Sequence, residues 1–161
     1  MPALREALED SGFDHVRTYV QSGNVVLSTR RSATRVANDV RALIKEEFGV
    51  DVAVVTRTRD ELAAVVARNP LAKVAKDPRR YQVSFLDRAL SKDAVAKLES
   101  LRDARERLVV DGREVYAWHP AGVARSKLWA ALAGAGLGVT ATSRNWTTVT
   151  NLLALADEEP G

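Results

Sequence analysis

The stretch YQVSFLDRALSKDAVAKLESLRDARERLVVDGREVYAWHP, residues 81–120, carries the pattern from which the fold is predicted. Residues 81–86 are uncharged and mostly apolar over a length typical of a strand. Ser91 follows as an N-cap, and its helix carries apolar residues at helical spacing, as at Leu98 and Leu101. A strand followed by a helix is the expected start of this half of the chain.

A hairpin comes next. Residues 107–110 and 113–118 are predicted strands that flank Asp111-Gly112. This dipeptide favours a type I′ turn, because both residues tolerate positive φ.

The elements after the hairpin complete the order of helices and strands in the second half of the chain. A helix over residues 126–132, a strand over 139–143 and a last helix capped by Asn145 follow the hairpin. Together these elements match the split βαβ order of a ferredoxin-like unit, with one extra helix.

The first half of the chain repeats this order without an opening strand. Its predicted elements are a helix over residues 3–10, hairpin strands over 15–21 and 24–29, a helix over 36–48, a strand over 51–56 and a helix from Thr58. Gly49 is the predicted C-terminal stop of the second of these helices, and Thr58 and Glu61 are predicted to form a capping box at the start of the third. In a ferredoxin-like unit the opening strand lies in the middle of the sheet, so its omission leaves two unpaired edges.

We therefore predict an α+β protein of two ferredoxin-like subdomains in tandem, the first lacking its opening strand. The predicted boundaries are residues 1–70 for the first subdomain, 71–79 for a linker and 80–161 for the second subdomain.

Composition excludes several classes of protein. The 161 residues are 46% hydrophobic and 28% charged, as in a folded domain rather than a disordered chain. There is no cysteine, which removes disulfides, thiolate metal sites and cysteine nucleophiles. The sequence starts without a secretory signal pattern and has no apolar run long enough to span a bilayer, so we expect a cytoplasmic protein without a membrane partner.

The basic residues are mostly arginine. Lys+Arg number 24 against 21 Asp+Glu, and only six of the 24 are lysine. Arginine suits phosphate and carboxylate recognition, but codon bias gives the same count, and the arginines are scattered rather than clustered.

Nine residues are candidate ligand-binding residues. They are Arg17, Tyr19, Gln21, Asn24, Arg125, Ser126, Lys127, Arg144 and Asn145. The first three share one face of a hairpin strand, which is either an open ligand-binding face or an ordinary solvated face.

The other strong candidates stand at two helix starts. Arg125 and Lys127 flank Ser126 before an apolar helix, where cations are placed to hold a phosphate or carboxylate. Arg144, beside the N-cap Asn145, is a second cation at a helix start. The two helix starts either face one shared groove or form separate sites.

Enzymatic signatures are missing from the sequence. His15 and His119 are expected at the surface without a carboxylate partner, and no metal-binding, nucleophile-elbow or phosphate-loop motif is present. We predict no catalytic residue, no metal site and no cofactor, and a binding role rather than an enzyme.

Three segments carry a resemblance to a known family. They are VRTYVQSGNVV at residues 16–26, RSKL at 125–128 and TSRNWTTV at 142–149. With these segments the chain resembles the bacterial proteins of domain of unknown function 1697. The resemblance implies a cytosolic α+β protein of two ferredoxin-like subdomains, with no established substrate or cofactor.

The resemblance also implies a difference at the start. Family members begin with an apolar strand and a glycine-containing loop before the helix that starts here at Met1-Pro2. We expect a misplaced start codon or a truncated sequence rather than a true loss of that strand.

The leading functional hypothesis is a non-catalytic module that binds a small anionic or phosphate-containing ligand. A nucleic-acid-binding sheet is an alternative, although the strand at residues 24–29 has no aromatic residue for stacking. An assembly protein, such as a homodimer formed through the unfilled strand position, is another, and an enzyme of unfamiliar type is the last.

Overall fold

The computed structural model describes residues 2–19, 23–134 and 136–158. Its elements, in chain order, are α1 (Pro2–Asp10), β1 (Asp14–Tyr19), β2 (Asn24–Ser28), α2 (Ala33–Phe48), α3 (Arg59–Arg68), β3 (Tyr81–Leu86), α4 (Lys92–Leu101), β4 (Arg107–Asp111), β5 (Glu114–Trp118), α5 (Lys127–Ala133), β6 (Ala141–Asn145) and α6 (Trp146–Asp157). The chain divides into two compact units, of which unit 1 comprises Met1–Leu62 with Asn151–Gly161 and unit 2 comprises Ala63–Thr150.

Unit 2 contains a complete ferredoxin-like sheet. Its four strands lie in the order β4-β5-β3-β6 and every neighbouring pair is antiparallel. The strand that comes first in the unit, β3, is paired on both sides, and all six of its residues are buried. The predicted α+β class and the split βαβ order of the second subdomain are therefore confirmed.

One face of this sheet packs against α4 and α5. The buried residues of this core are Leu86, Leu98, Val115, Ala117, Leu128, Leu132 and Leu137. Complete burial of a leucine side chain contributes about 1.5–3 kcal/mol, so the buried leucines of this cluster stabilise the unit substantially.

The opposite face of the same sheet is also covered. The Tyr116 hydroxyl donates to the Val65 carbonyl at the end of α3, 2.9 Å away, and the Tyr81 hydroxyl donates to Oδ1 of Asn69, 2.8 Å away. Burial raises the pKa of Tyr116 to about 12. On this face, the two central strands β3 and β5 of unit 2 are therefore covered by the end of α3 and the residue that follows it.

Unit 1 contains the two-stranded antiparallel sheet of β1 and β2. Its core is formed by side chains from α1, β1, α2 and the turn after α1, and comprises Leu4, Leu8, Phe13, Val16 and Val36. The α2 helix starts at the N-cap Ser32 and ends at Gly49, whose φ of 70° is the left-handed conformation that glycine adopts without a steric cost.

The predicted strand at residues 51–56 is wrong, because this segment belongs to no strand. A strand needs a neighbour for its ladder hydrogen bonds. In unit 2 the last strand, β6, obtains that neighbour in β3. Among the described residues, unit 1 has no strand in the corresponding position, which agrees with the predicted omission of an opening strand.

The predicted turn of the β4–β5 hairpin is wrong by one residue. Asp111 pairs with Glu114, so the two-residue loop is Gly112-Arg113. Gly112 has a φ of 57°, whereas Arg113 does not have a positive φ. Positive φ at the first loop residue alone is typical of a type II′ turn, in which glycine takes that position.

The compact units do not follow the predicted boundaries. The division falls within α3, after Leu62, and within α6, after Thr150. Residues 71–79, predicted as a linker, form turns in unit 2, and Leu71 among them is buried. Within the described residues, no helix has the length and apolar character needed to cross a membrane.

Candidate functional site

Unit 2 contains a cavity of about 360 Å³ beside the start of α5. Its lining residues come from the end of α4, the loop that follows it and the start of α5 with the two residues before it: Ser100, Leu101, Arg102, Asp103, Glu106, Arg125, Ser126 and Lys127. Three of the predicted site residues, 125–127, are therefore brought together at one cavity.

The β4–β5 hairpin determines which side chains support this cavity. Arg107 pairs with Trp118 at the open end of the hairpin. One residue further along each strand stand Glu106 and His119, both of which are buried. The hairpin register thus places an acid and a histidine opposite each other, 13 residues apart in sequence.

Glu106 is a buried carboxylate whose oxygens are both occupied. Oε1 accepts a hydrogen bond from the Asp103 backbone N–H at 3.1 Å, and Oε2 accepts from the Ser126 hydroxyl at 2.6 Å and lies 2.5 Å from Nδ1 of His119. Burial acts to raise the pKa of Glu106, but the hydrogen bonds from Ser126, His119 and Asp103 outweigh it and hold the pKa below its ordinary value. The carboxyl is therefore ionised at neutral pH.

His119 is fully buried, so its expected place at the surface is wrong, and so is the expected lack of a carboxylate partner. Its Nδ1 atom faces the Glu106 carboxylate, whereas its Nε2 atom is buried and has no hydrogen-bond partner within the part of the chain that the structure describes. The ring also meets Trp129 edge-on, with 5.9 Å between the ring centres. Because a carboxylate oxygen accepts hydrogen bonds, Nδ1 of His119 carries a proton that it donates to Glu106.

Ser126 links this buried cluster to α5. Its hydroxyl oxygen accepts a hydrogen bond from the Trp129 backbone N–H at 3.0 Å, as an N-cap does, and its proton is donated to Glu106. The hydroxyl oxygen is 3.3 Å from Nδ1 of His119, the ring nitrogen that already faces the carboxylate.

This arrangement differs from that of a catalytic triad. In a triad the serine donates to one imidazole nitrogen and the carboxylate accepts from the other. Here Ser126 and Glu106 both face Nδ1, and the serine proton is directed at the carboxylate. Ser126 therefore does not have the geometry of a triad nucleophile. Its proton is directed at the Glu106 carboxylate, and Glu106, His119 and Ser126 form one hydrogen-bonded cluster beside the cavity.

Two of the cations at the cavity are unpaired. Arg125 and Lys127 are exposed, and among the described residues neither forms a hydrogen bond or an ion pair through its side chain. Arg102, in contrast, donates to the Glu106 carbonyl at 2.7 Å and to the Glu99 carboxylate at 3.3 Å. The free side-chain donors at the cavity are thus positively charged.

Asp103 is the second carboxylate at the cavity. Its Oδ1 atom accepts hydrogen bonds from the backbone N–H groups of Arg105 at 2.7 Å and Glu106 at 3.0 Å. These two bonds hold the pKa of Asp103 below its ordinary value. Its Oδ2 atom accepts no hydrogen bond from the part of the chain that the structure describes.

The predicted site residues of the first hairpin lie in unit 1. Arg17 donates to the Leu155 carbonyl at 2.5 Å, and the Asn151 amide donates to the Tyr19 hydroxyl at 2.6 Å. The face that carries Arg17 and Tyr19 therefore contacts the C-terminal part of α6. Asn24 is buried and donates to the Tyr19 carbonyl at 3.3 Å, whereas Gln21 lies outside the described residues.

Arg144 and Asn145 lie in β6 and are not among the residues that line the cavity. Burial lowers the pKa of Arg144, which donates to the Ser143 carbonyl at 2.8 Å. The Asn145 side chain accepts a hydrogen bond from the Thr148 N–H at 2.9 Å, which is the predicted helix cap. Of the two predicted helix starts, the one at residues 125–127 therefore lines the cavity, and the one at Arg144 and Asn145 does not.

The described residues contain no group of three or more histidine, aspartate or glutamate side chains that are arranged to hold a metal ion. Of the functional residues, sequence reasoning missed Arg102, Asp103, Glu106 and His119. The register of the β4–β5 hairpin could have indicated that Glu106 and His119 lie opposite each other. The turn was predicted one residue too early, and this gave the wrong register.

The fold of unit 2 and its cavity define an α+β protein with a ferredoxin-like sheet and a small cationic pocket. The family described as "Protein of unknown function (DUF1697)" matches residues 1–116, and the chain belongs to this family. The description of the family specifies no activity.

Comparison with solved structures supports the same fold. The chain is similar to the conserved bacterial protein SP0830 from Streptococcus pneumoniae, with a TM-score of 0.77 and 19% sequence identity, over 98% of this chain and 88% of that chain. At this identity the likeness shows the fold alone. No curated protein matches the sequence.

Proposed function

We propose that this protein binds a small anionic, phosphate-containing ligand at the cavity beside α5, without catalysing a reaction on it. The observation that carries the proposal is that Arg125 and Lys127 line one cavity and have no carboxylate partner among the described residues.

The charges of the lining residues support this choice of ligand. Glu106 is an anion, but Ser126, His119 and the Asp103 N–H already occupy its oxygens. The unpaired cations are therefore free to donate charge-assisted hydrogen bonds, which are stronger than neutral ones.

The size of the cavity sets the class of ligand. A volume of about 360 Å³ is near the lower end of the range for small-molecule sites, which runs from roughly 300 to 1,000 Å³. A phosphate monoester fits this volume, whereas a long polymer would need a continuous groove.

The absence of a triad geometry supports binding without catalysis. Ser126 donates to Glu106 and not to an imidazole nitrogen, so its hydroxyl does not have the geometry of a triad nucleophile. The nucleic-acid alternative has weaker support, because Tyr81 and Tyr116 are covered by the end of α3 and offer no stacking platform for bases.

Calorimetric titration with inorganic phosphate and ethyl phosphate tests the proposal. We expect saturable binding to the unmodified protein, and at least about a tenfold loss of affinity in the double variant Arg125→Ala/Lys127→Ala, because each charge-assisted hydrogen bond contributes about 1.5–3 kcal/mol.

The matched control is Lys73→Ala/Lys76→Ala. It removes the same charge from two exposed lysines of unit 2 that do not line the cavity. The proposal is wrong if neither probe binds the unmodified protein, or if both double variants lose affinity equally.

A further inference from the structure

Among the described residues that line the cavity, Asp103 is the carboxylate with an oxygen that accepts no hydrogen bond. Both oxygens of Glu106 are hydrogen-bonded, whereas Oδ2 of Asp103 accepts no hydrogen bond from the described residues. Asp103 is also exposed, so a ligand in the cavity can reach it.

The Asp103 carboxylate is an anionic group at a proposed anion site, where it weakens the binding of a simple phosphate by charge repulsion. The backbone N–H groups of Arg105 and Glu106 keep Asp103 ionised, so this repulsion is present at neutral pH. If the ligand also carries a positive group at its other end, the Asp103 carboxylate attracts that group, and this attraction offsets the repulsion of the phosphate.

We infer that the cavity selects a zwitterionic ligand, in which a phosphate contacts Arg125 and Lys127 and an ammonium group contacts Oδ2 of Asp103. This inference rests on the proposed function, since it assigns the ligand class of the same site. It adds Asp103 as the residue that determines specificity.

A pair of matched ligands tests the inference. Phosphoethanolamine and ethyl phosphate share the phosphate monoester and the two-carbon chain, and only the first carries an ammonium group. We expect the protein to bind phosphoethanolamine about tenfold more tightly than ethyl phosphate, as one charge-assisted hydrogen bond implies.

The variant Asp103→Asn removes the negative charge and keeps an oxygen that can accept from Arg105 and Glu106. In this variant we expect the ratio of the two affinities to fall to about one, while ethyl phosphate binds as well as before or better, because the repulsion is removed. The control is Asp93→Asn, which removes an exposed carboxylate of α4 that does not line the cavity and should leave the ratio unchanged.

The possible results separate the two proposals. Equal affinity of the unmodified protein for both ligands, or an unchanged ratio in Asp103→Asn, overturns the zwitterion inference and leaves the phosphate site standing. Failure of both ligands to bind overturns the proposed function and the inference together.

Discussion

The Nδ1 atom of His119 lies 2.5 Å from Oε2 of Glu106, just beyond the last residue pair of the β4–β5 hairpin. Nε2 of the same ring is buried and has no hydrogen-bond partner among the residues described, so the contact with Glu106 determines how the imidazole is oriented. The pair connects the hairpin to the wall of the candidate ligand cavity through Ser126.

The proton on Nδ1 of His119 is a direct consequence of this contact. We expect long-range nitrogen–proton NMR spectra to show a proton on Nδ1, because that nitrogen faces a carboxylate. A spectrum in which Nδ1 carries no proton would contradict the arrangement described here.

Glu106 makes unit 2 sensitive to acid. Its pKa in the folded chain is below the ordinary value of 4.5, so its stabilisation is complete above that pH and is lost as the pH falls through the folded value. In Glu106→Gln we expect about 1–3 kcal/mol lower stability at neutral pH and a smaller loss on acidification.

Urea unfolding followed at a series of pH values from 7 downward measures both effects. A variant whose stability falls with acid as steeply as that of the unmodified protein would show that Glu106 is not the titrating group.

We expect the two serine N-caps, Ser91 and Ser126, to contribute different amounts to the free energy of unfolding. Ser91 caps α4 and its hydroxyl accepts from the Ala94 N–H at 3.1 Å, whereas Ser126 caps α5 and also donates to Glu106. We expect Ser91→Ala to cost about 1 kcal/mol and Ser126→Ala about 1 kcal/mol more, because the second change also removes a donor from a buried carboxylate. Equal losses in urea unfolding would argue against a contribution from the Ser126–Glu106 hydrogen bond.

The turn at Gly112 offers a test of backbone conformation alone. Its φ is 57°, and a Cβ built there meets no atom within 4 Å, so a side chain at this position is limited by φ and not by contacts. We expect Gly112→Ala to lower the stability by roughly 1–2 kcal/mol and Gly112→Asn by less, because asparagine tolerates left-handed φ better. Thermal unfolding of the two variants checks this order, and a variant Gly112→Ala as stable as Gly112→Asn would contradict it.

Local signals in the sequence predicted most of the elements. The capping box is one example, because Thr58 and Glu61 exchange hydrogen bonds with each other's backbone N–H at 2.8 and 3.1 Å as expected. The C-terminal stop at Gly49 is another. Such signals depend on neighbours in sequence, which the sequence displays directly.

The candidate site depends on residues that are neighbours in space and not in sequence. The wrong prediction of the β4–β5 turn hid the pairing of two of them, Glu106 and His119. A loop at residues 111–112 would have paired Glu106 with Ala117, whereas the true loop, Gly112-Arg113, aligns Glu106 with His119. Shifting the loop by one residue shifts every cross-strand partner by two. The cation cluster at residues 125–127 was predictable because it is contiguous, but its place at a cavity is a property of packing.

The central position of β3 has a consequence for how the protein is made. Gln82 of β3 pairs with Asn145 of β6, which is 63 residues later in the chain. At about 5–20 residues per second, a ribosome needs roughly 3–13 s to synthesise the intervening chain, and over that interval one edge of an apolar strand has no partner. The growing polypeptide therefore passes through a period in which β3 is a natural target for chaperones, and rare codons between residues 82 and 145 would lengthen that period.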